Sequence, residues 1–130
     1  PLVTFLDSAE IEDAVLNLVL NAIESIDGNG RVTVHLHRRP GRDSSANRDG
    51  EAVIEVTDTG CGIPLEVRRR IFEPLFTTKG GRAGLGLSAV RRTVVAHHGR
   101  VTFKTKIGRG STFVLTLPIR SQPNLTENPK

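Results

Sequence analysis

Asn17 and Asn21 lie four residues apart in the run Asn17-Leu18-Val19-Leu20-Asn21-Ala22-Ile23-Glu24, an otherwise apolar segment up to its last residue. Residues i and i+4 share a helical face. At helical steps, Glu10, Asp13, Asn17, Asn21 and Glu24 fall into one narrow polar stripe, and Ile11, Ala14, Val15, Leu18, Val19, Ala22, Ile23 and Ile26 cover the rest. Two readings follow. In one, the helix is mostly buried and its polar slit faces a metal ion or polar ligand, because an unpaired buried amide costs about 1–3 kcal/mol. In the other, the helix is half exposed and its asparagines face water.

The rest of the chain alternates strand and helix signals without strict βαβ order. Leu2 to Leu6 reads as a short strand, and Asp7-Ser8-Ala9-Glu10 has the spacing of a capping box opening the first helix, which runs to about Ile26. Asp27-Gly28-Asn29-Gly30 is a turn. Arg31 to Arg38 alternates with Val32, Val34 and Leu36 on one face, and Glu51 to Thr57 alternates with Ala52, Ile54 and Val56 on one face and Val53 on the other. Pro40 to Gly50 reads as a loop. A short helix is expected after Pro64. Leu85 to His98 reads as an amphipathic helix stopped by Gly99, and Arg100 to Lys106 and Ser111 to Leu117 read as a hairpin across Ile107-Gly108-Arg109-Gly110. This order favours a two-layer α/β sandwich. The expected division is one domain over residues 1–119 and a disordered tail or linker over 120–130.

Composition narrows the function classes. One cysteine excludes an internal disulfide and fits a reduced, cytoplasmic setting. No run of 18 apolar residues is present, so the domain is expected to make no direct membrane contact. No signal peptide opens the chain, which begins directly in a strand-like run and reads as a piece excised from a longer protein. The net charge of +4 is spread over separate basic groups, with no aromatic stacking platform and no zinc-finger spacing. Nucleic acid is therefore not an expected partner.

Three further segments carry more information. Asp58-Thr59-Gly60-Cys61-Gly62-Ile63-Pro64 follows a strand pattern, Ile71-Phe72-Glu73-Pro74-Leu75-Phe76-Thr77-Thr78-Lys79 comes next, and Gly80-Gly81-Arg82-Ala83-Gly84-Leu85-Gly86-Leu87-Ser88 opens a helix. With the asparagine helix, and in this order, they resemble the N, G1, F and G2 boxes of the sensor histidine kinase catalytic domain. That is the ATP-binding superfamily shared with gyrase, the Hsp90 chaperones and MutL. The resemblance runs from about Leu2 to Ile119 and ends in Gly108-Arg109-Gly110-Ser111-Thr112-Phe113 before Leu117-Pro118. It implies a Bergerat-type α/β (α+β) two-layer sandwich. Its sheet would be mixed and mainly antiparallel, with about five strands covered on one face by about three helices.

The resemblance also implies cofactors and roles. ATP and Mg²⁺ are the expected cofactors, with Asn21 the magnesium ligand and Asn17 lining the same phosphate site. Magnesium takes oxygen ligands and keeps waters and phosphate oxygens, so one amide oxygen suffices from the protein. In gyrase-like members the position of Asn17 is a glutamate that activates water. An amide cannot accept that proton, so the site is expected to hold ATP without rapid hydrolysis. Asp58 is the adenine reader, accepting from the exocyclic amine, with Gly60, Gly62 and Ile63 forming the loop around the base. Phe76, Thr77, Thr78 and Lys79 begin an ATP lid over Pro74 to Ala83, expected to be mobile without nucleotide. Gly84, Leu85, Gly86, Leu87 and Ser88 present helix N-terminal amides to phosphates. Thr112 completes the expected nucleotide contacts. The short lid resembles the nitrogen-regulation-type subset.

Several features sit outside the pattern. Arg82 stands where the family usually has glycine, either touching a phosphate or pointing into solvent, and Glu24 and Ser25 stand where a basic residue is common. Cys61 reads as a small filler, with no group placed to activate it. His35 and His37 alternate on the strand face opposite Val34 and Leu36, where exposed polar residues are ordinary and a metal pair is the alternative. No histidine lies in a phosphoacceptor motif. The expected whole is a two-component kinase passing the γ-phosphoryl of Mg-ATP to a histidine on a separate dimerisation/phosphoacceptor domain. A response regulator lies downstream, the isolated domain is expected to be monomeric, and its parent is expected to be a homodimer. The rival is a stand-alone anti-sigma-type serine kinase of the same fold.

Overall fold

A computed structural model describes residues 8–40, 50–74 and 86–119. In chain order they form α1 (Ser8–Glu24), β1 (Val32–Arg39), β2 (Glu51–Asp58), a 3₁₀ helix (Leu65–Arg70), α2 (Gly86–Ala96), β3 (Arg100–Lys106) and β4 (Gly110–Pro118). The strands form one sheet in the order β1-β2-β4-β3, and every described pairing is antiparallel. Four strands are described where about five were expected; the expected strand over Leu2 to Leu6 lies outside the described residues. Both α-helices pack on one face of this sheet.

The pleat decides which residues meet the helices. In β2 the even-numbered residues Ala52, Ile54, Val56 and Asp58 face them. Register carries that face to Leu117, Leu115, Phe113 and Ser111 of β4. Onto this surface α1 sets Ala14, Leu18 and Ala22, and α2 sets Val90 and Val94. Spacings of four place each set on one stripe. The small alanines of α1 let the helices approach closely, and each fully buried leucine or valine contributes about 1.5–3 kcal/mol. Phe72, Phe103 and Phe113 close one end of this core. Phe103 stacks on Phe113 at 5.5 Å between ring centres, and Phe72 meets Phe113 edge-on at 6.4 Å.

α1 is half exposed, but its asparagines do not stand fully in water, so the structure follows neither reading entirely. Leu16, Leu20 and Ile23 form an outward stripe, with Leu16 and Ile23 each 53% exposed. Asn17 and Asn21 lie on the flank of the helix and are half-buried. Val34 and Leu36 share a face of β1, as their alternation required, yet they are 50% and 56% exposed. β1 is the edge strand of the described sheet, and α1 lies mainly over β2.

The corner after α2 departs in detail from its expected form. The helix ends at Ala96, and His98 takes the left-handed conformation (φ 65°) that a helix stop requires. The His98 N–H donates to Val95 O and the Gly99 N–H to Val94 O, the paired bonds of a Schellman cap. Gly99 is needed for another reason: a Cβ there would collide with the Thr116 carbonyl and the Leu117 side chain.

Candidate functional site

Asp58 ends β2 on the helix-facing side, and its residue surface is 4% exposed. Its Oδ1 accepts from the Gly60 N–H at 2.8 Å and from the Ser111 N–H at 3.2 Å. Two amides on one oxygen fix the plane of the carboxylate. Among the described residues no hydrogen bond falls on Oδ2, which is the atom able to take a ligand donor. An ionised carboxylate oxygen accepts from N–H or O–H donors and has nothing to offer a carbonyl.

The loop after Asp58 is fastened at both ends. The Cys61 N–H donates to Ser25 O at 3.1 Å, and a Cβ on Gly60 would press on the Ser25 carbonyl at 2.5 Å. This ties the loop to the C-terminus of the helix that carries Asn17 and Asn21. On the other side, the Gly108 N–H donates to Cys61 O at 2.9 Å and the Ile63 N–H to Thr105 Oγ1 at 2.9 Å. Gly62 holds φ at 81°, and a Cβ there would meet Lys106 O at 2.5 Å. The crowding at Gly60 and Gly62 therefore comes from protein backbone, whatever ligand approaches them. Cys61 is exposed, so it is not a filler of the interior; its Sγ donates to Gly62 O at 3.3 Å.

Gly86, Leu87 and Ser88 form the first turn of α2, with Ser88 buried. Phe76, Thr77, Thr78, Lys79, Gly84 and Leu85 lie outside the described residues, as do the rest of the expected lid beyond Pro74, and Arg82. Glu24 is exposed at the end of α1.

Thr112 is not on the side of the sheet that carries Asp58. It pairs with Thr57, and its Oγ1 lies 3.0 Å from Thr57 Oγ1 on the face away from the helices. The β4 residue opposite Asp58 is Ser111. Ser111 is buried, its amide holds the Asp58 carboxylate, and its Oγ lies 2.8 Å from Thr105 Oγ1. The alternation of β4 in register with β2 would have pointed to Ser111, because a strand reverses its face at every residue.

Comparison with known proteins agrees with this geometry. The family model described as histidine kinase-, DNA gyrase B- and HSP90-like ATPase matches residues 6–121. The signal transduction histidine-protein kinase AtoS of Escherichia coli K12 is 34% identical over 120 residues, covering 92% of this chain and 18% of AtoS. Sensor histidine kinase ZraS of the same organism is 39% identical over 114 residues, covering 87% of this chain and 22% of ZraS. The chain thus spans about a fifth of the length of these relatives. Among solved structures, the mycobacterial sensor histidine kinase MprB superposes with a TM-score of 0.72 at 32% identity, over 89% of this chain and 74% of that one. Full-length ShkA, solved in complex with AMPPNP, superposes with a TM-score of 0.71 at 29% identity, over 88% of this chain and 22% of that one. With the boxes in order, the helices on one face of an antiparallel sheet and this match over nearly its whole length, the chain belongs to the histidine kinase-, DNA gyrase B- and HSP90-like ATPase family, as a catalytic domain of the sensor histidine kinase kind.

Proposed function

We propose that this domain binds Mg-ATP and, in the whole protein, passes its γ-phosphoryl group to a histidine on a separate dimerisation/phosphoacceptor domain, for relay to a response regulator. The observation that carries the reading is Asp58, buried, held by the Gly60 and Ser111 amides and keeping Oδ2 for an adenine amine. The residues on α1 fit a magnesium ion by type: Asn17 and Asn21, half-buried on one flank of the helix, carry hard amide oxygens, the donor type this ion takes. Bound there, Mg²⁺ would neutralise charge on the phosphates. Asn21 would hold it, Asn17 would line the phosphate path, and the first turn of α2 would offer its amides to phosphate oxygens.

In the transfer, the bond from γ-phosphorus to the β–γ bridging oxygen breaks, a bond to the acceptor imidazole nitrogen forms, and ADP leaves. This chain's part is positioning and charge stabilisation. Asn17 offers no base to water, which suppresses hydrolysis while the acceptor is absent. The named relatives favour this reading over the stand-alone serine kinase. A cytoplasmic site and a homodimeric parent belong to the same proposal.

The test is radiolabel transfer from γ-labelled ATP to the parent's histidine-bearing helical hairpin, supplied in trans. Slow labelling of the hairpin, none of this chain, and loss of transfer in Asn21→Ala with ADP binding retained are the expected results. Strong self-labelling of the chain, or full transfer by Asn21→Ala, overturns the roles.

A further inference from the structure

The sheet face turned away from the helices carries a second cluster. His35 and His37 alternate on β1, and Glu55 lies directly across from His35 on β2. Period-two alternation puts all three side chains on the same side, opposite that of Asp58. The imidazole rings stack at 5.1 Å between centres, 28° from parallel, and His37 Nε2 lies 3.3 Å from Glu55 Oε2. One ligand atom from each of the three side chains falls within 4.8 Å of the others. His35 is exposed, and His37 and Glu55 are half-buried, so the cluster opens to solvent.

Among the described residues, Glu55 is paired with His37. The arginine of β1 on the same face, Arg39, is taken by Glu51 at 3.1 Å, and Arg100 reaches the other oxygen of the same carboxylate at 3.4 Å. On the far side, the residues in register with Glu55 are Val114 of β4 and then Thr102 of β3, both uncharged. No packing in the core calls for two imidazoles and a carboxylate here.

We propose that His35, His37 and Glu55 form a surface site for a borderline-soft divalent cation of the zinc type, with solvent completing the coordination. Two imidazole nitrogens and one carboxylate oxygen are the donor set of an open zinc site, at about 2.0–2.2 Å from the ion once the side chains close on it. Nitrogen donors separate this site from the nucleotide's cation: magnesium takes oxygen and leaves imidazole to zinc, cobalt, nickel or copper. The rigid antiparallel pair β1–β2 holds the three Cα positions, so only side-chain rotation is needed for binding. Because the cluster and Asp58 occupy opposite faces of β2, the cation and a nucleotide can be bound together, and the site stands whatever the domain does with ATP.

Calorimetric titration of the full chain with Zn²⁺, in a non-chelating buffer containing excess Mg²⁺, tests this. One Zn²⁺ per chain is expected. Removing a ligand in His37→Gln or Glu55→Gln should weaken binding by more than the about 10–100-fold typical of removing a ligand's outer partner. His97→Gln, on the turn after α2, should change nothing. Unfolding midpoints of the metal-free variants report their folding, and Zn²⁺ should raise the midpoint of the unaltered chain alone. Independently of any variant, Co²⁺ bound to the unaltered chain should give the intense visible bands of a four- or five-coordinate ion. Zinc binding of equal strength in both ligand variants, a pale octahedral cobalt spectrum, or no zinc uptake overturns the proposal.

Discussion

At the scale of single residues, the role proposed for Asp58 rests on the Gly60 and Ser111 amides that hold its carboxylate. Asp58→Asn keeps the shape but turns half of the group into a donor. ADP binding should weaken by about 1.5–3 kcal/mol, the range of a charge-assisted bond, and preference over GDP should fall with it. Calorimetry with both nucleotides measures this; equal affinity of the unaltered chain for GDP would remove Asp58 as reader. Thr112→Ala, on the other face, should leave that affinity nearly unchanged. This pair also marks a limit of the sequence. Ser111 and Thr112 are adjacent hydroxyls of similar propensity, and only the register of β4 on β2 says which one reaches the site. His98 carries a different expectation. It bears a side chain in a left-handed conformation that glycine occupies at no cost, so His98→Gly should stabilise the domain by about 0.5–1 kcal/mol. Chemical denaturation would read the gain.

Elements carry the division between what was legible and what was not. Turns and the rough extent of the helices were readable because they rest on local chemistry, although α1 ends at Glu24 rather than about Ile26 and α2 at Ala96 rather than His98. Asp27-Gly28-Asn29-Gly30 breaks the chain, Pro64 precedes the 3₁₀ helix with φ at −60°, and Ile107 to Gly110 returns the chain between β3 and β4. Burial was less readable. Leu16 and Leu20 are as apolar as Leu18, and no local signal tells that Leu18 enters the core while its neighbours face outward; the position of α2 and the sheet decides. The same holds for Val34 and Leu36, whose exposure follows from α1 lying mainly over β2 rather than over their strand, an edge of the described sheet. The contrast is testable within α1. Leu18→Ala should cost about 2–5 kcal/mol through lost burial and the cavity left behind, while Leu16→Ala should cost well under 1 kcal/mol. Urea midpoints of similar size for the two variants would contradict the assignment of faces.

For the molecule as a whole, the sheet works as a partition. Its helix-covered side holds the main hydrophobic core and Asp58, and its other side holds the buried Val53 and Thr116, charged pairs and the histidine cluster. Glu51 sits between Arg39 and Arg100, linking residues of the two edge strands across the sheet. Its side chain is only 12% exposed, so Glu51→Ala should leave two arginines facing each other and cost about 1–3 kcal/mol. Thermal unfolding at low and high salt measures it, with the penalty shrinking as salt screens the arginines. Family membership was visible in the order of the boxes, because those motifs are local in the sequence and need no knowledge of the register to be read. The part each face plays became visible only when the strands were in register.

The joint between α1 and the loop after Asp58 has a consequence of its own. Ser25 accepts from Cys61, and Gly60 leaves no gap against it, so the helix bearing the asparagines is pinned to the loop that follows Asp58. Two jaws on one frame make a fixed gauge. On the proposed reading, a nucleotide must span the interval between Asp58 and the asparagines of α1, and the frame does not stretch to meet it. Lengthening the sugar–phosphate tether by a single atom should therefore cost affinity out of proportion to the chemistry added.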